Sequence, residues 1–427
     1  MSDTAQPAPL QYQVAGQDLV TGETVERPPE TRPVSDTIGN IRVWLAGAAR
    51  VTPSLAQIVD ELAWRLLAAG LPVMRVTLSI TTLHPQFLGA SYVWWLPTKR
   101  TVEVMIGHEV GELIPYAENP VLRVREGGET IRRRIDVADD RLDFPVLHDL
   151  KAQGGTDFLA LAIPSGQGRR NYLAYVTGRA GGFTEDEIVS LSSVAEPLAI
   201  ATDWYSQRLI AANVLNAYLG PKTGPKVLAG QIRRGSGEEI AAVLWSSDLR
   251  GFTAFSDLVP GTRVIEMLDT LFDEQAKAIE SHGGEILKFI GDGLLAIFPA
   301  EGEAGAAQAA ANALAAASQA LAATRKLADG ARESGQASLP MVVALHYGTV
   351  LYGNIGAARR LDFTVIGPAV NLVSRVEAVA KSLNQPILVS DDFARVHGGQ
   401  LRSLGFHQLR GLEKPHELFA PETPAEG

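Results

Sequence analysis

Two short stretches carry most of the information in this sequence: residues 248–253 read DLRGFT, and residues 288–292 read KFIGD. Asp248 and Asp292 each follow or interrupt an apolar, strand-like run, and each lies near glycine. A hard divalent cation prefers oxygen ligands, and a nucleoside triphosphate is bound by backbone N–H groups together with a metal ion. Turns that offer both form a candidate catalytic platform.

The residues around these stretches predict a mixed domain of strands and helices over residues 238–427. Glycines on both sides of Asp292 mark a turn between two apolar strands, and the alanine-rich segment 304–331 has a high helix propensity. A ferredoxin-like sheet with helices on one face accommodates the order of elements. The predicted elements are strand 240–245, helix 263–279, hairpin 285–298, helix 304–331, strands 341–355 and 363–366, helix 369–383, and strands within 386–389 and 400–419.

Composition limits the class of protein. The length of 427 residues predicts two to three domains, and 46% hydrophobic with 20% charged residues is typical of a globular chain. A net charge of −10 argues against general nucleic-acid binding, because the phosphate backbone would be repelled. The chain has no cysteine, which excludes disulfides and thiolate metal sites and fits a cytoplasmic protein.

Targeting and membrane signals are missing from the sequence. The polar N-terminus has no basic start followed by an apolar core, as a secretory signal would have. No window approaches the roughly 18 continuous apolar residues of a membrane helix. We therefore expect a soluble, cytoplasmic protein with no membrane span.

The N-terminal half predicts an arm followed by an α+β sensory module. Residues 1–38 are rich in proline, threonine and charge, which predicts a disordered arm. Residues 39–205 contain a helix, several strand-like runs and a final helix that begins at Thr184 with acidic residues in its first turn. This segment resembles a GAF domain, particularly in the phrase GFTEDEI at residues 182–188. The GAF-like input, a small molecule or a protein, is unknown from the sequence.

Two further features of this half leave alternatives open. Tyr92, Trp94 and Trp95 could line a ligand pocket, although aromatic residues in a strand usually belong to the core. Residues 206–237 continue a helical stripe that is broken at 220–221, with Pro197 expected to interrupt the preceding helix. This segment is either a helical transducer between sensor and effector or a surface helix that packs on its own domain.

Four motifs within residues 239–420, in the same order and spacing, resemble the catalytic domain of class III nucleotidyl cyclases. The resemblance implies that Asp248 and Asp292 are metal ligands, with the Leu249 carbonyl as an additional one, and that two Mg²⁺ or Mn²⁺ ions bind per active site. The ribose 3′ oxygen then attacks the α-phosphorus and pyrophosphate leaves. The segment Gly251, Phe252 and Thr253 begins a helix-like turn whose N–H groups bind phosphate oxygens. Either aspartate alone could equally be a turn or cap residue.

Base recognition is implied by two further positions. Lys288 stands where this family selects the purine, and a lysine can donate to adenine N1, whereas members that make cyclic GMP carry an acid there. Thr364 stands at the second base-reading position, where many members have aspartate. Its hydroxyl can accept from the adenine 6-amino group but can equally donate. Threonine also resembles the branch that includes bicarbonate-responsive enzymes, so bicarbonate activation stays open.

The remaining implied site residues follow in residues 371–411. Asn371 and Arg375 are four residues apart, so a helix presents them on one face. In the family the asparagine orients the ribose, and the arginine stabilises charge on the α-phosphate. Arg410, before a glycine, stands where the family places a cation on the terminal phosphates. Arg359 and Arg360 are alternative candidates for that task, or a solvated basic loop.

The family builds each site from two catalytic domains, one with the metal ligands and its partner with the base-reading and transition-state residues. Since this chain holds one copy of each motif, a homodimer with two composite sites is implied. The sequence thus predicts a homodimeric adenylate cyclase that acts on ATP under control of the N-terminal module. The alternatives are a guanylate cyclase and a catalytically silent nucleotide-binding signalling module.

Overall fold

The computed structural model describes residues 13–14, 17–18, 20–108, 118–137, 142–168, 170–233, 235–333, 339–357 and 360–422. The chain divides into two compact units, residues 1–217 and residues 218–427. Among the described residues, none of the helices combines the length and the apolar character that crossing a bilayer requires.

The first unit is built on an antiparallel sheet between two layers of helices. Its strands are β1 (Gln13–Val14), β2 (Gln17–Asp18), β3 (Val20–Glu26), β4 (Arg75–Thr81), β5 (Phe87–Trp95), β6 (Arg100–Gly107), β7 (Ile131–Arg134), β8 (Asp157–Pro164) and β9 (Arg170–Thr177). Its helices are α1 (Ile38–Ala46), α2 (Leu55–Ala68), α3 (Pro120–Gly127), α4 (Pro145–Ala152), α5 (Glu185–Ser192) and α6 (Ala195–Leu219), with short 3-10 turns at Pro29–Thr31, Ala48–Val51 and Gly166–Gly168. The seven-stranded sheet has the order β3-β6-β5-β4-β9-β8-β7.

Alternating side chains of this sheet point to its two faces and pack into two separate hydrophobic cores. In β9, Leu173 and Tyr175 face the core shared with α1, α2, α5 and α6, whereas Tyr172 and Ala174 face the core shared with α3 and α4. Tyr92 and Trp94 lie in the first of these cores, and Trp95 is also buried. The core interpretation of these aromatics is therefore confirmed. The GAF-like assignment of this unit stays a prediction.

The expectation of a disordered arm over residues 1–38 is wrong for residues 20–38. Val20–Glu26 pairs with β6 as an edge strand, and the following residues attach to α2. Arg27 Nε lies 2.9 Å from the fully buried carboxylate of Asp60, and the guanidinium of Arg32 stacks 4.2 Å above the ring of Trp64. Charged residues that predicted disorder, Arg27 and Arg32, thus bind to the surface of α2. Residues 1–12 lie outside the described residues.

The helix boundaries of the first unit agree in part with the sequence. Thr184 forms a complete capping box with Glu187 at the start of α5, as expected from the acidic first turn. The expected interruption at Pro197 is confirmed: α5 ends at Ser192, α6 begins at Ala195, and Pro197 lies in the first turn of α6. There the backbone N–H that proline lacks has no intrahelical acceptor.

The second unit contains the segment with the cyclase-like motifs. Its helices are α7 (Thr223–Leu228), α8 (Phe252–Ser256), α9 (Gly261–Ser281), α10 (Gly302–Glu333), α11 (Pro368–Leu383) and α12 (Asp391–His397). Its strands are β10 (Gly237–Leu249), β11 (Glu285–Ile290), β12 (Gly293–Ala300), β13 (Met341–Ala357), β14 (Arg360–Ile366), β15 (Ile387–Ser390), β16 (Leu401–His407) and β17 (His416–Pro421). They form an eight-stranded sheet with the order β11-β12-β10-β13-β15-β17-β16, and β14 pairs with β13.

The first half of this unit has the predicted ferredoxin-like arrangement. The elements β10, α9, β11, β12, α10 and β13 follow one another as β-α-β-β-α-β, with the four strands side by side in the order β11-β12-β10-β13. Seven alanines of α10 are buried at helical spacing, which lets this helix approach the sheet closely. They are Ala306, Ala309, Ala310, Ala313, Ala316, Ala317 and Ala320.

The prediction that the helices lie on one face of this sheet is wrong. Val243 and Trp245 of β10 pack with α9, α10 and α12, whereas Ala242 and Leu244 pack with α11 on the opposite face. The run 240–245 is apolar at every position because both faces of the strand are covered. Helix α11 is therefore alone among the long helices of this unit on its side of the sheet, within the ranges that the structure describes.

Candidate active site

Asp248 and Asp292 meet at one edge of the second unit. Asp248 is the penultimate residue of β10, and Asp292 lies in the turn that leads into β12. These two strands pair antiparallel, with Ser247 opposite Leu294, so the turn lies beside the end of β10. The carboxylate of Asp292 also accepts a hydrogen bond from the Leu249 amide at 3.3 Å. The structure therefore brings the two sequence-predicted metal ligands together.

A glycine permits this close approach. A Cβ atom built on Gly293 would lie 2.0 Å from the carbonyl oxygen of Ser247 and 3.4 Å from the Cα atom of Asp248. Any other residue at this position would push the turn away from β10. Gly291, on the other side of Asp292, has a φ of 61°, in the left-handed region that favours glycine. The two glycines of the GDG turn thus have distinct roles in placing Asp292.

The electrostatics of the pair favour a bound cation. Burial, and after it the neighbouring Asp248 carboxylate, raises the pKa of Asp292 to about 6. Two carboxyl groups, together with a backbone carbonyl at Leu249, are a hard oxygen donor set of the kind that Mg²⁺ and Mn²⁺ accept. Within the part of the chain that the structure describes, no group of three or more His, Cys, Asp or Glu side chains is arranged to hold a metal ion. Further ligands would have to be water, backbone or substrate oxygens.

Lys381 contacts the carboxylate pair, and the sequence analysis did not identify it as a site residue. Its ammonium group is bonded to Asp248 Oδ2, and it also lies 3.1 Å from Glu377 Oε1. Glu377 in turn accepts a hydrogen bond from the hydroxyl of Ser246, two residues before Asp248. The signal available in the sequence was the Glu-to-Lys spacing of four on a helix, which by itself indicates only a helix-surface pair.

The DLRGFT stretch continues from β10 into a short helix. Gly251 has a φ of 77° and precedes the first turn of α8, which has no side-chain cap. Phe252 packs partly into the core, whereas Thr253 is exposed. The first backbone N–H groups of α8 therefore have no side-chain cap, and they follow Asp248 by only a few residues in the sequence.

The two base-reading candidates lie on β11 and β14, strands that contact each other without being paired in the sheet. Thr364 is only 5% exposed, and its hydroxyl has no hydrogen-bond partner among the described residues. Lys288 is half-buried and forms no hydrogen bond or ion pair with another described residue. Unpartnered buried polar groups are uncommon in folded proteins, which makes the Thr364 hydroxyl a candidate for contact with a ligand.

Asn371 and Arg375 lie on one face of α11, as their spacing predicts. Asn371 is exposed, and Arg375 is half-buried with its guanidinium against Gly411: a Cβ atom built on this glycine would lie 3.6 Å from Arg375 Nη2. The structure therefore brings Arg375 close to the backbone next to Arg410, whose side chain is exposed. Of the alternative phosphate contacts, Arg360 is exposed at the start of β14, and Arg359 lies outside the described residues.

The site residues of one chain fall into two groups. Lys381 and Arg375 are six residues apart on α11, which places them roughly 120° apart around the helix axis and about 9 Å apart along it. Lys381 faces the chain's own Asp248, so the stripe that carries Asn371 and Arg375 faces elsewhere. Asp248 and Asp292 form the first group, and Asn371 and Arg375 on α11 form the second.

The segment that precedes the catalytic motifs is docked on the second unit. The Thr223 hydroxyl and the Tyr352 hydroxyl both donate to Glu285 Oε1, at 2.7 Å and 2.9 Å, and Thr223 is 1% exposed. Lys222 donates to the Gly283 carbonyl, and Asn354 donates to the Gln231 carbonyl. Residues 222–231 of the predicted transducer are therefore attached to β11 and β13.

Comparison with known proteins assigns the second unit. Residues 237–413 match the family described as the adenylate and guanylate cyclase catalytic domain. The chain thus carries a class III nucleotidyl cyclase domain, with the four sequence motifs inside the matched segment. The match does not extend over the first unit.

Individual relatives are similar to this chain over the same region. An adenylate cyclase of Anabaena cylindrica is 32% identical over 148 residues, which cover 35% of this chain and 29% of that protein. The photoactivated adenylate cyclase subunit beta of Euglena longa is 32% identical over 168 residues, 38% of this chain and 19% of that protein. The chain therefore spans about a third or less of the length of these curated relatives. Among solved structures, the adenylyl cyclase CyaB from P. aeruginosa is 25% identical with a TM-score of 0.41, covering 45% of this chain and all of that one.

Proposed function

We propose that this protein is an adenylate cyclase that converts ATP to 3′,5′-cyclic AMP and pyrophosphate at composite sites of a homodimer, controlled by its N-terminal unit. The observation that carries the proposal is the meeting of Asp248 and Asp292 inside a cyclase catalytic domain. Two facing carboxyl groups repel each other when both are ionised, and a bound divalent cation would relieve that repulsion.

The carboxylates of Asp248 and Asp292, with the Leu249 carbonyl, would hold the divalent cations. Bound Mg²⁺ or Mn²⁺ would neutralise charge on the triphosphate and make the ribose 3′ oxygen a better nucleophile. The uncapped amides at residues 251–253 would bind phosphate oxygens, which suits a helix start with no side-chain cap. These groups would align the 3′ oxygen with the α-phosphorus for displacement of pyrophosphate.

The second group of residues would act on the rest of the nucleotide. Asn371 would orient the ribose, and Arg375 would stabilise the negative charge that develops on the α-phosphate as the P–O bond forms. Arg410, beside the backbone that Arg375 contacts, would bind the terminal phosphates. The absence of hydrogen-bond or ion-pair partners for Asn371, Arg375 and Arg410 among the described residues supports a ligand-facing role.

Adenine is the base that these residues suit best. Lys288 would donate to adenine N1, which accepts a hydrogen bond, whereas guanine N1 carries a hydrogen. The Thr364 hydroxyl would accept from the 6-amino group, and its burial without a partner leaves it available. The Anabaena and Euglena relatives that are named adenylate cyclases support the same choice.

A homodimer would bring the two groups into one site. Within a chain, the stripe of α11 that carries Arg375 is turned away from the side that contacts Asp248, so a second copy is needed to supply it. Exposed apolar side chains next to the metal-binding edge support such an interface. They include Leu258, Ile265, Phe289 and Ile290, all more than half exposed.

Regulation would act through the docked segment before β10. Glu285 begins β11, the strand that also carries Lys288 and leads to Asp292, and its carboxylate is held by Thr223. A displacement of the helix that contains Thr223 would therefore move Glu285, and with it the strand that carries the base-reading lysine. This coupling supports a transducer role for residues 206–237 over that of a passive surface helix.

A product assay tests the proposal. The full chain is incubated with ATP and with GTP separately, in Mn²⁺, and both cyclic nucleotides are quantified. We expect cyclic AMP from ATP, and at least about tenfold less cyclic GMP from GTP. Predominant cyclic GMP would instead identify a guanylate cyclase, and nucleotide binding without either product would identify a silent signalling module.

A further inference from the structure

The carboxylate pair already has an internal cation. Lys381, near the C-terminal end of α11, is bonded through its ammonium group to Asp248 Oδ2. The hydrogen bond recorded for Asp292 comes from the Leu249 amide, which carries no full charge. Lys381 is thus the one cationic side chain bonded to the pair among the described residues.

The same ammonium group has a second acceptor within reach. Glu377 lies one helical turn before Lys381, and its Oε1 atom is 3.1 Å from Lys381 Nζ. The hydroxyl of Ser246 holds the other oxygen of Glu377, and the Glu377 side chain is only 14% exposed. Glu377 is therefore a fixed carboxylate outside the metal-binding pair that can take the ammonium group without any movement of the backbone.

An ammonium group and a divalent cation cannot share Asp248 Oδ2 without strong repulsion. We infer that Lys381 is an internal counter-ion that closes the carboxylate pair in the absence of a divalent cation, and that it moves wholly to Glu377 when the cation binds. Lys381 and Glu377 are then positioning residues that set the affinity for the metal ion. This inference rests on the metal-binding role of Asp248 and Asp292 in the proposed function.

Removing the internal cation should strengthen metal binding. In the full chain without nucleotide, Mn²⁺ binding is measured by the loss of the free Mn²⁺ paramagnetic resonance signal. We expect Lys381→Met to bind Mn²⁺ about fivefold more tightly than the unmodified chain, the size of a partly exposed ion pair. The matched control Lys277→Met removes an exposed lysine that pairs with Glu274 on α9, and it should leave the affinity unchanged.

The role of Glu377 is tested by a double-mutant cycle. Glu377→Gln should weaken Mn²⁺ binding about two- to fivefold, because Lys381 then loses its alternative carboxylate and stays on Asp248. In the Lys381→Met background the same change should have no effect. An equal weakening in both backgrounds would mean that Glu377 acts on the metal ion directly, and would overturn the inference.

Two further measurements keep the outcomes distinct. The rise in melting temperature on addition of Mn²⁺ should be larger for Lys381→Met than for the unmodified chain, and Lys381→Gln provides a second variant should Lys381→Met fail to fold. If Mn²⁺ binds, Asp292→Ala abolishes the binding, and neither Lys381 variant binds more tightly, this inference alone is overturned. If Asp292→Ala binds Mn²⁺ as well as the unmodified chain does, the metal assignment of the proposed function falls too.

Discussion

Arg375 and Lys381 lie on the same helix, Pro368–Leu383, but on different faces of it, roughly 120° apart around its axis. Lys381 is bonded to Asp248 of its own chain, whereas Arg375 lies against Gly411. One helix therefore contacts the carboxylates of its own chain and offers a second, polar stripe elsewhere. This division is the structural basis for expecting that each active site uses residues from two chains.

Loss of either proposed metal ligand should abolish turnover. Asp248→Ala and Asp292→Ala each remove an oxygen ligand from the pair, and we expect the rate of cyclic AMP formation to fall by more than about a hundredfold. Asp273→Ala is the matched control, because Asp273 is exposed on helix Gly261–Ser281. Activity within a few-fold of normal in either test variant would rule out the two-metal assignment.

Base selection should depend on Lys288. Glu at this position would accept from guanine N1 instead of donating to adenine N1. We expect Lys288→Glu to lower the ratio of kcat/KM for ATP to that for GTP by about tenfold or more. Lys277→Glu introduces the same charge change at an exposed position and should not alter the ratio. An unchanged ratio in Lys288→Glu would show that the base is read by other residues.

Acid should destabilise the second unit through His346. Burial lowers the pKa of this imidazole to about 4, and its Nδ1 atom lies 2.8 Å from the Ser390 hydroxyl. Between pH 6.5 and 4 the unfolded chain binds a proton at His346 that the folded chain does not, so stability falls as the pH is lowered through this window. From pH 7.5 to 5 the loss amounts to about 2 kcal/mol.

Chemical denaturation at pH 7.5, 6.5 and 5 measures this effect. His346→Gln should show a shallower loss of stability over the range, although its stability at pH 7.5 is lower because a buried contact is changed. His148→Gln, at an exposed position of the first unit, should retain the full pH dependence. Parallel pH profiles for all three proteins would exclude a proton uptake at His346.

The buried hydrogen bonds of Thr223 should matter for both stability and rate. Thr223→Val keeps the shape of the side chain but removes a donor from the buried carboxylate of Glu285, at a cost of about 1–3 kcal/mol. We expect an additional change in basal cyclase activity, because Glu285 begins the strand that carries Lys288. Thr270→Val, which removes an exposed hydroxyl bonded within its own helix, is the control. Equal effects of the two substitutions would leave the transducer segment without a special role.

Local patterns predicted much of the fold and most of the site. The capping box at Thr184 and the turn around Asp292 are encoded within a few residues, so they were visible without a structure. The contact between Lys381 and Asp248 spans 133 residues and depends on which face of a helix meets which strand. A single sequence does not contain that information, and the residue was missed.

The errors have related physical causes. Residues 20–38 are rich in charge and lack an apolar periodicity, which is why the sequence predicts disorder there. In the structure Arg27 forms an ion pair with Asp60, and Arg32 stacks on Trp64, both on helix Leu55–Ala68. The helix Asp391–His397 is too short to show a helical period between two strands. The apolar run 240–245 within strand Gly237–Leu249 predicts burial on two sides, which the expectation of helices on one face of the sheet does not take into account.

The most direct test of the account is complementation between two inactive chains. Asp292→Ala and Arg375→Ala variants are coexpressed with different affinity tags, and cyclic AMP formation from ATP is measured in Mn²⁺. Random pairing makes half of the dimers mixed, each with one intact composite site of two, so we expect about a quarter of the unmodified activity. Activity no greater than the sum of the two variants alone, in dimers shown to contain both tags, would contradict the shared site.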